Sequence, residues 1–218
     1  YNLNSTSNSI LEQRLTLGFD ERYQMAKSHR SEDADREFFN MQTEIYAALK
    51  LLDFLHVEGS YNAAKTEFDG QSEWTGSIVF QPEYSFRQIR AGRFRPSTGL
   101  RYDDHTMMVN NVPGAYGPPI LPPGYAEYGI QYTENSPDWL SLTLGVFDAA
   151  NLAESFVTNP DGNLQPLIGD EHSLSWLARA EYRPDWGGDV WRVVPGVSYF
   201  INDDFDMLNL FTGAGIGK

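Results

Sequence analysis

Polar and apolar residues alternate one by one through much of this chain, most clearly from Tyr125 to Phe147. Successive side chains of a strand leave on opposite faces. Ala126, Tyr128, Ile130 and Tyr132 therefore share one face, and Glu127, Gln131 and Thr133 share the other. After a turn at Asn135-Ser136-Pro137-Asp138 the order resumes, with Leu140, Leu142, Leu144 and Val146 set against Ser141, Thr143 and Gly145. The spacing predicts an antiparallel hairpin with one apolar and one polar face.

The same period predicts about ten strands in all. The first runs from Leu11 to Phe19, and Asp20 to Glu37 is charged and reads as a long exposed loop. From Phe39 to Leu51 the charges fall on every second position, which argues for a strand over a helix. Leu55 to Tyr61 returns from a tight turn at Leu52-Asp53, and Trp74 to Phe80 follows a polar loop. The strand Arg87 to Arg95 breaks the rule, because Ile89 and Ala91 share parity with Arg93 and Arg95. A bulge at Gly92 is expected to reset the faces there, turning Arg93 and Arg95 to the polar side and Phe94 to the apolar side. A Pro-rich and Gly-rich excursion from Pro96 to Gly124 leads into the hairpin, and the acidic loop Asp148 to His172 leaves it. Two further strands, Leu174 to Tyr182 and Trp191 to Ile201, precede a last one that starts near Leu208.

Alternation is symmetric, so other features must say which face is inside. Long polar loops gather at one end of the strands and short turns at the other, as in outer-membrane barrels. Trp74, Tyr132, Trp139, Tyr182, Trp191 and Tyr199 fall near strand ends, where interfacial girdles belong. The apolar files are nearly free of ionisable residues, whereas Glu44, Lys50, His56, Glu58, Glu127, Arg179, Glu181 and Arg192 fall on the polar face. A charge facing lipid would cost about 2–4 kcal/mol at the bilayer midplane. The expected fold is an all-β, antiparallel up-and-down transmembrane β-barrel of residues 1–218 in a single domain. Its polar file would line the lumen.

Composition changes this picture little. No run reaches the length of a membrane-crossing helix, and a mean hydropathy of -0.44 is compatible with a barrel that hides its apolar half in alternate residues. A net charge of -14 argues against a nucleic-acid partner. The absence of cysteine removes any disulfide framework. Asp203, Asp204 and Asp206 lack the Gly and distal Glu of a calcium loop, and Gly213 to Lys218 lacks the first Gly and the Ser or Thr of a phosphate loop. Neither a catalytic apparatus, a metal site nor a cofactor is expected. The sequence ends on Lys218, where barrels of this kind finish on an aromatic, so a larger barrel of which these residues are one part stays open.

The segment Ala91-Gly92-Arg93-Phe94-Arg95-Pro96-Ser97-Thr98-Gly99-Leu100, running on to Asp103-Asp104-His105-Thr106, resembles the Gly-basic-Phe-x-Pro-x-Gly segment of phosphate-selective porin-like proteins. It is similar also to barrel proteins found alongside multihaem cytochromes. The resemblance implies a basic strand beside an inward-folding loop. The loop's apolar run Met107-Met108-Val109 suits burial in the barrel mouth, with Arg93 and Arg95 set against Asp103 and Asp104 as a constriction. The chain departs from an anion-selective pattern in that no ladder of lysines continues from Arg93 and Arg95. The expected function is a porin of the bacterial outer membrane, passing small polar or ionic solutes through a charged lumen. Its expected partners are the lipid and lipopolysaccharide of that membrane, those solutes, and a periplasmic or surface protein. Two alternatives stand beside it: a scaffolding barrel such as the sheath of a cytochrome electron conduit, and a soluble β-sandwich binding module. About ten strands favour the scaffold, since open porins use about 16–18.

Overall fold

The computed structural model describes residues 8–10, 14–27, 36–62, 74–82, 86–99, 125–153, 156–158, 164–166, 168–169, 172–183 and 191–216. The fold is all-β. Among the described residues, eleven strands form one antiparallel sheet in the order β1 (Asn8–Ile10), β2 (Leu15–Lys27), β3 (Arg36–Leu52), β4 (Leu55–Asn62), β5 (Trp74–Phe80), β6 (Arg87–Phe94), β7 (Glu127–Glu134), β8 (Leu140–Phe147), β11 (Ser175–Tyr182), β12 (Trp191–Asn202) and β13 (Phe205–Ile216). Between β8 and β11 the chain makes a short helix, α1 (Ala150–Ala153), and a separate two-stranded hairpin of β9 (Phe156–Thr158) and β10 (Leu164–Pro166). Among the described residues, β1 and β13 are the two edges and do not pair with each other.

The polarity of the sheet is inverted relative to a water-soluble protein. Ile130 is 55% exposed and Leu144 59% exposed, whereas Gln131 and Thr143, their neighbours on the opposite face, are each 2% exposed. Apolar residues face out along β4 to β8 and β11 to β13, and polar ones such as Ser77, Ser141, Ser175 and Ser198 are buried. Exposed aromatics bound this apolar face in two rows. Phe54, Phe80, Phe86, Tyr132, Trp139 and Tyr182 stand at the short-turn end, and Tyr61, Trp74, Tyr128, Trp176 and Tyr199 toward the long-loop end. Ionisable groups described on the outward face keep to the rows or beyond them. Arg87 and Glu134 pair at 2.8 Å at the short-turn end; Arg93, Asp206 and Glu21 lie at the other.

Several glycines are explained by rings. Gly18 stands opposite Tyr46, Gly129 opposite Phe147 and Gly196 opposite Phe211, and in each pair the ring occupies the space a Cβ would need. Bare backbone on the concave face thus lets an aromatic ring lie flat against the sheet.

The structure departs from the expected pattern at five places. Strand β2 runs on to Lys27 and β3 begins at Arg36, so the charged stretch after Asp20 is largely strand. Ladder hydrogen bonds there do not require apolar alternation. The ladder through Gly92 is continuous, with Ser77 and Gly129 directly opposite it and no extra residue inserted. Instead Gly92 has φ +141°, and a Cβ there would strike the Ser77 backbone 2.7 Å away, so only glycine fits. Strand β13 begins at Phe205, after a two-residue turn at Asp203-Asp204 on the long-loop end. That breaks the alternation of long and short connections. The acidic loop from Asp148 contains α1, β9 and β10. Ala126, finally, is buried just before β7 and does not join the exposed file.

Candidate functional site

Chemistry on the concave face is organised around residues 95–99, which leave β6 and cross to β11 and β12. The Ser97 amide donates to Gln131 Oε1 on β7 at 3.3 Å. Next, the Gly99 amide donates to Ser198 Oγ on β12 at 2.8 Å, and the Gly99 carbonyl accepts from Arg179 Nε on β11 at 3.3 Å. Pro96 and Ser97 are buried by this crossing. In a flat sheet β6 and β12 would lie four ladder steps apart, about 19 Å, and Ser198 is displaced along the strands from the level of Phe94 as well. Five residues cannot span that diagonal, because an extended residue covers at most about 3.6 Å. The sheet is therefore curled, and residues 95–99 are a strap across its hollow.

Two charged clusters flank the strap. On one side the Arg90 guanidinium of β6 pairs with Glu58 Oε1 of β4, and Ser77 of β5 stands between, donating to Glu58 at 3.2 Å and accepting from Arg90 Nε at 3.0 Å. Arg90 also lies 4.8 Å from the Phe94 ring centroid. On the other side Glu181 takes one hydrogen bond on each oxygen, from Arg179 at 2.7 Å and from Arg183 at 2.7 Å. Arg179 is the link between cluster and strap, and it stacks 4.9 Å from the Phe211 ring. Inward positions on β4, β5 and β6 bring Glu58, Ser77 and Arg90 together from distant parts of the sequence, whereas Arg179, Glu181 and Arg183 are alternate residues along β11 and just past its end.

At the long-loop end the hollow is filled. Phe94, Tyr125, Phe147, Ala149, Leu152, Ile168, Leu177 and Phe200 form a buried apolar cluster, with Phe94 and Phe147 edge to face at 5.5 Å. Beneath it Glu127 is 0% exposed. Its two oxygens accept from the Leu152 amide at 2.9 Å and from Asn151 Nδ2 at 3.0 Å, so the start of the 148–174 connection is seated on this carboxylate.

The residues singled out in the sequence are distributed unevenly over this arrangement. Glu58, Arg179 and Glu181 belong to the two clusters. Glu44 and His56 are half-buried at inward positions of β3 and β4. Lys50 sits at the short-turn rim, paired with Asp53 at 2.9 Å, and that neighbour holds the Asp53 carboxyl below its ordinary range. Glu127 is sealed under the 148–174 connection. Arg93 is on the outward face: it stands opposite Gly76 and Tyr128, and its guanidinium lies 4.7 Å from the Trp74 ring centroid. Phe94 is buried inside, the reverse of the expected order, because without a bulge the parity of Ile89 and Ala91 carries through to Arg93. Arg95 is half-buried just past the strand. The Arg192 backbone pairs with Gly215, and its side chain lies outside the described residues, as do Asp103, Asp104 and the run Met107 to Val109. Arg90, Arg183, Gln131 and Ser198 complete the site and were not singled out. The signal for Arg90 was present, since it alternates with Ile89 and Ala91 and needs no bulge to face inward. Among the described residues no group of three His, Asp or Glu is placed to hold a metal ion.

No family model matches this chain, and no curated protein does. Among solved structures, the outer membrane protein OpdK from Pseudomonas aeruginosa is similar to it at 15% sequence identity and a TM-score of 0.43. The alignment covers 93% of this chain and 62% of that one, so the chain spans less than two thirds of that protein's length.

Proposed function

We propose that this chain forms the wall of a transmembrane β-barrel in a bacterial outer membrane and passes small polar or ionic solutes along its concave face. The observation that carries the reading is the inverted polarity: an exposed apolar face bounded by two aromatic rows, over a polar hollow with charges of both signs. Water cannot be the solvent for so continuous an apolar surface without inviting aggregation. The passage would run beside β2 to β6, where inward residues such as Glu44, Tyr46, His56 and Ser60 stay half-exposed, with Glu58 and Arg90 on its wall. Mixed charge in one pair favours weak selectivity over an anion filter.

A scaffolding barrel is the second reading, supported by the strap and the aromatic cluster that pack the concave face of β7 to β12. Planar-bilayer conductance separates the two. A conducting pore whose ion preference shifts when Glu58→Gln and Arg90→Met are introduced supports the porin. Protein that enters bilayers and conducts nothing supports the scaffold, and protein that stays monodisperse without detergent removes both.

A further inference from the structure

Strand β13 closes one end of the sheet. All twelve of its residues pair with β12, from Phe205 opposite Asn202 to Ile216 opposite Trp191, without a register shift. Among the described residues no strand pairs with its other side. Leu208 is 62% exposed and Leu210 79%, whereas Tyr199 and Val197, directly opposite them on β12, are 37% and 38% exposed. The excess belongs to the flank that β12 does not cover. Edge strands in water are commonly guarded by lysine, proline or a bulge. Strand β13 has none of the three, and its one charge is Asp206 beside the turn. It is built as an interior strand.

We propose that the uncovered side of β13 is the joint with a second copy of this chain, so that two copies form one wall. The proposal rests on the membrane reading above. Successive residues of an antiparallel strand turn their N–H and C=O groups to opposite sides, so every second residue of β13 turns its own away from β12. In the hydrocarbon of a bilayer no water is present to bond them, and open sheet edges do not occur there. A strand must cover this one. The other end of the same sheet has the right direction for the task. There β1 meets only Leu15 to Leu17 of β2 among the described residues. Counted from β2, β13 is the tenth strand of an antiparallel order, so the two run in opposite directions. In a second copy standing the same way up, β2 beyond β1 therefore lies antiparallel to β13, and its exposed Leu17 and Phe19 continue the lipid face of Leu208 and Leu210. Size favours the same occupant. About ten strands enclose a lumen that side chains largely fill, whereas about twenty, from two copies, lie among the larger bacterial barrels and leave room for the aqueous passage. A two-fold axis along the membrane normal closes both joints and leaves no edge.

The test uses the purified full chain in maltoside micelles, with insertion checked separately by flotation with phosphatidylcholine vesicles. Native mass spectrometry should read twice 24.7 kDa. Amide exchange should be equally slow at successive residues from Met207 to Thr212, where an open edge would leave every second amide exchanging fast. A third readout replaces Leu210 with photoreactive benzoylphenylalanine in a mixture of isotope-labelled and unlabelled copies. Cross-links from that position should reach β2 and include peptide pairs of mixed isotope. Mass and exchange are read on the unaltered chain, so the result does not depend on the substituted one. A single-copy mass from protein that floats overturns this inference alone. Fast exchange at alternate residues of β13 in a two-copy species puts the contact elsewhere and overturns the joint. Cross-links to β2 without mixed pairs mean that one copy closes on itself, which overturns the second copy. Protein that does not float overturns the membrane reading with it.

Discussion

Gly196 on β12 and Phe211 on β13 stand directly opposite each other, and the Phe211 ring lies back over Gly196. A methyl group on Gly196 would have to displace the ring, and the Ala180 carbonyl 3.0 Å away blocks retreat in the other direction. Gly196→Ala should therefore cost about 1–3 kcal/mol, the range for overpacking a filled site. Phe211→Leu in the same protein should return part of that loss. Denaturant unfolding in lipid or detergent measures both, and simple additivity of the two substitutions would show that the ring does not depend on the glycine.

Leu144 offers a direct test of the solvent on the outward face. On a water-facing surface an exposed leucine can become arginine at a cost within about 0.5 kcal/mol. Facing lipid near the midplane, the same change costs about 2–4 kcal/mol. Leu144→Arg should fall in the second range, and a cost near zero would put water outside the barrel. Thr143 is not a fair comparison, because it is buried and faces Arg179 across the ladder.

Glu127 ties the 148–174 connection to the sheet. Replacing it with alanine leaves the buried Leu152 amide without its acceptor, a loss of about 1–3 kcal/mol, while Asn151 Nδ2 keeps the Ala126 carbonyl at 2.7 Å. Amide exchange at Leu152 should quicken markedly while exchange in the centre of β12 stays slow. Glu127→Gln keeps one acceptor oxygen and should fall between. Unaltered exchange at Leu152 in the alanine variant would mean that the apolar cluster, and not the carboxylate, holds the connection in place.

Glu58 and Arg90 are about a quarter exposed and share Ser77, which places them between a surface pair and a buried one. A double-mutant cycle with Glu58→Gln and Arg90→Met should give a coupling energy of about 1 kcal/mol. Substituting Arg93 instead should leave any ion preference measured in planar bilayers where it was, since Arg93 faces away from the hollow. A selectivity change on substituting Arg93 would contradict the face assigned to it.

Much of the sheet was legible because one physical rule governs it: a strand between two different solvents must alternate. Tyr128, Ile130, Leu142 and Leu144 obey that rule, and so do their polar neighbours. Legibility failed where the rule does not apply. Residues 20–27 pair in a ladder without the apolar alternation that marks a strand in sequence, so their charges looked like a loop. Phe94, Phe147 and Phe200 sit at inward positions near strand ends, where a packed plug replaces the polar hollow, and they meet one another there from strands far apart in sequence. The candidate site was half legible. Parity put Glu58, Arg179 and Glu181 inside, but no local pattern shows that residues 95–99 bond to Gln131, Arg179 and Ser198.

The Gly99 to Ser198 bond joins residues 99 positions apart, across a wall of strands that must already be curled for the two to meet. Contacts of such long sequence separation cannot precede the pairing of β6 through β12, because closing that loop early would cost chain entropy with nothing yet formed to offset it. The strap is thus a finishing step in folding: the wall assembles hairpin by hairpin, and the crossing seats last. Pulse-labelled exchange during refolding should protect the Gly99 amide after those of β7 and β8. Protection at Gly99 arriving first would mean that the strap is the seed on which the wall is laid.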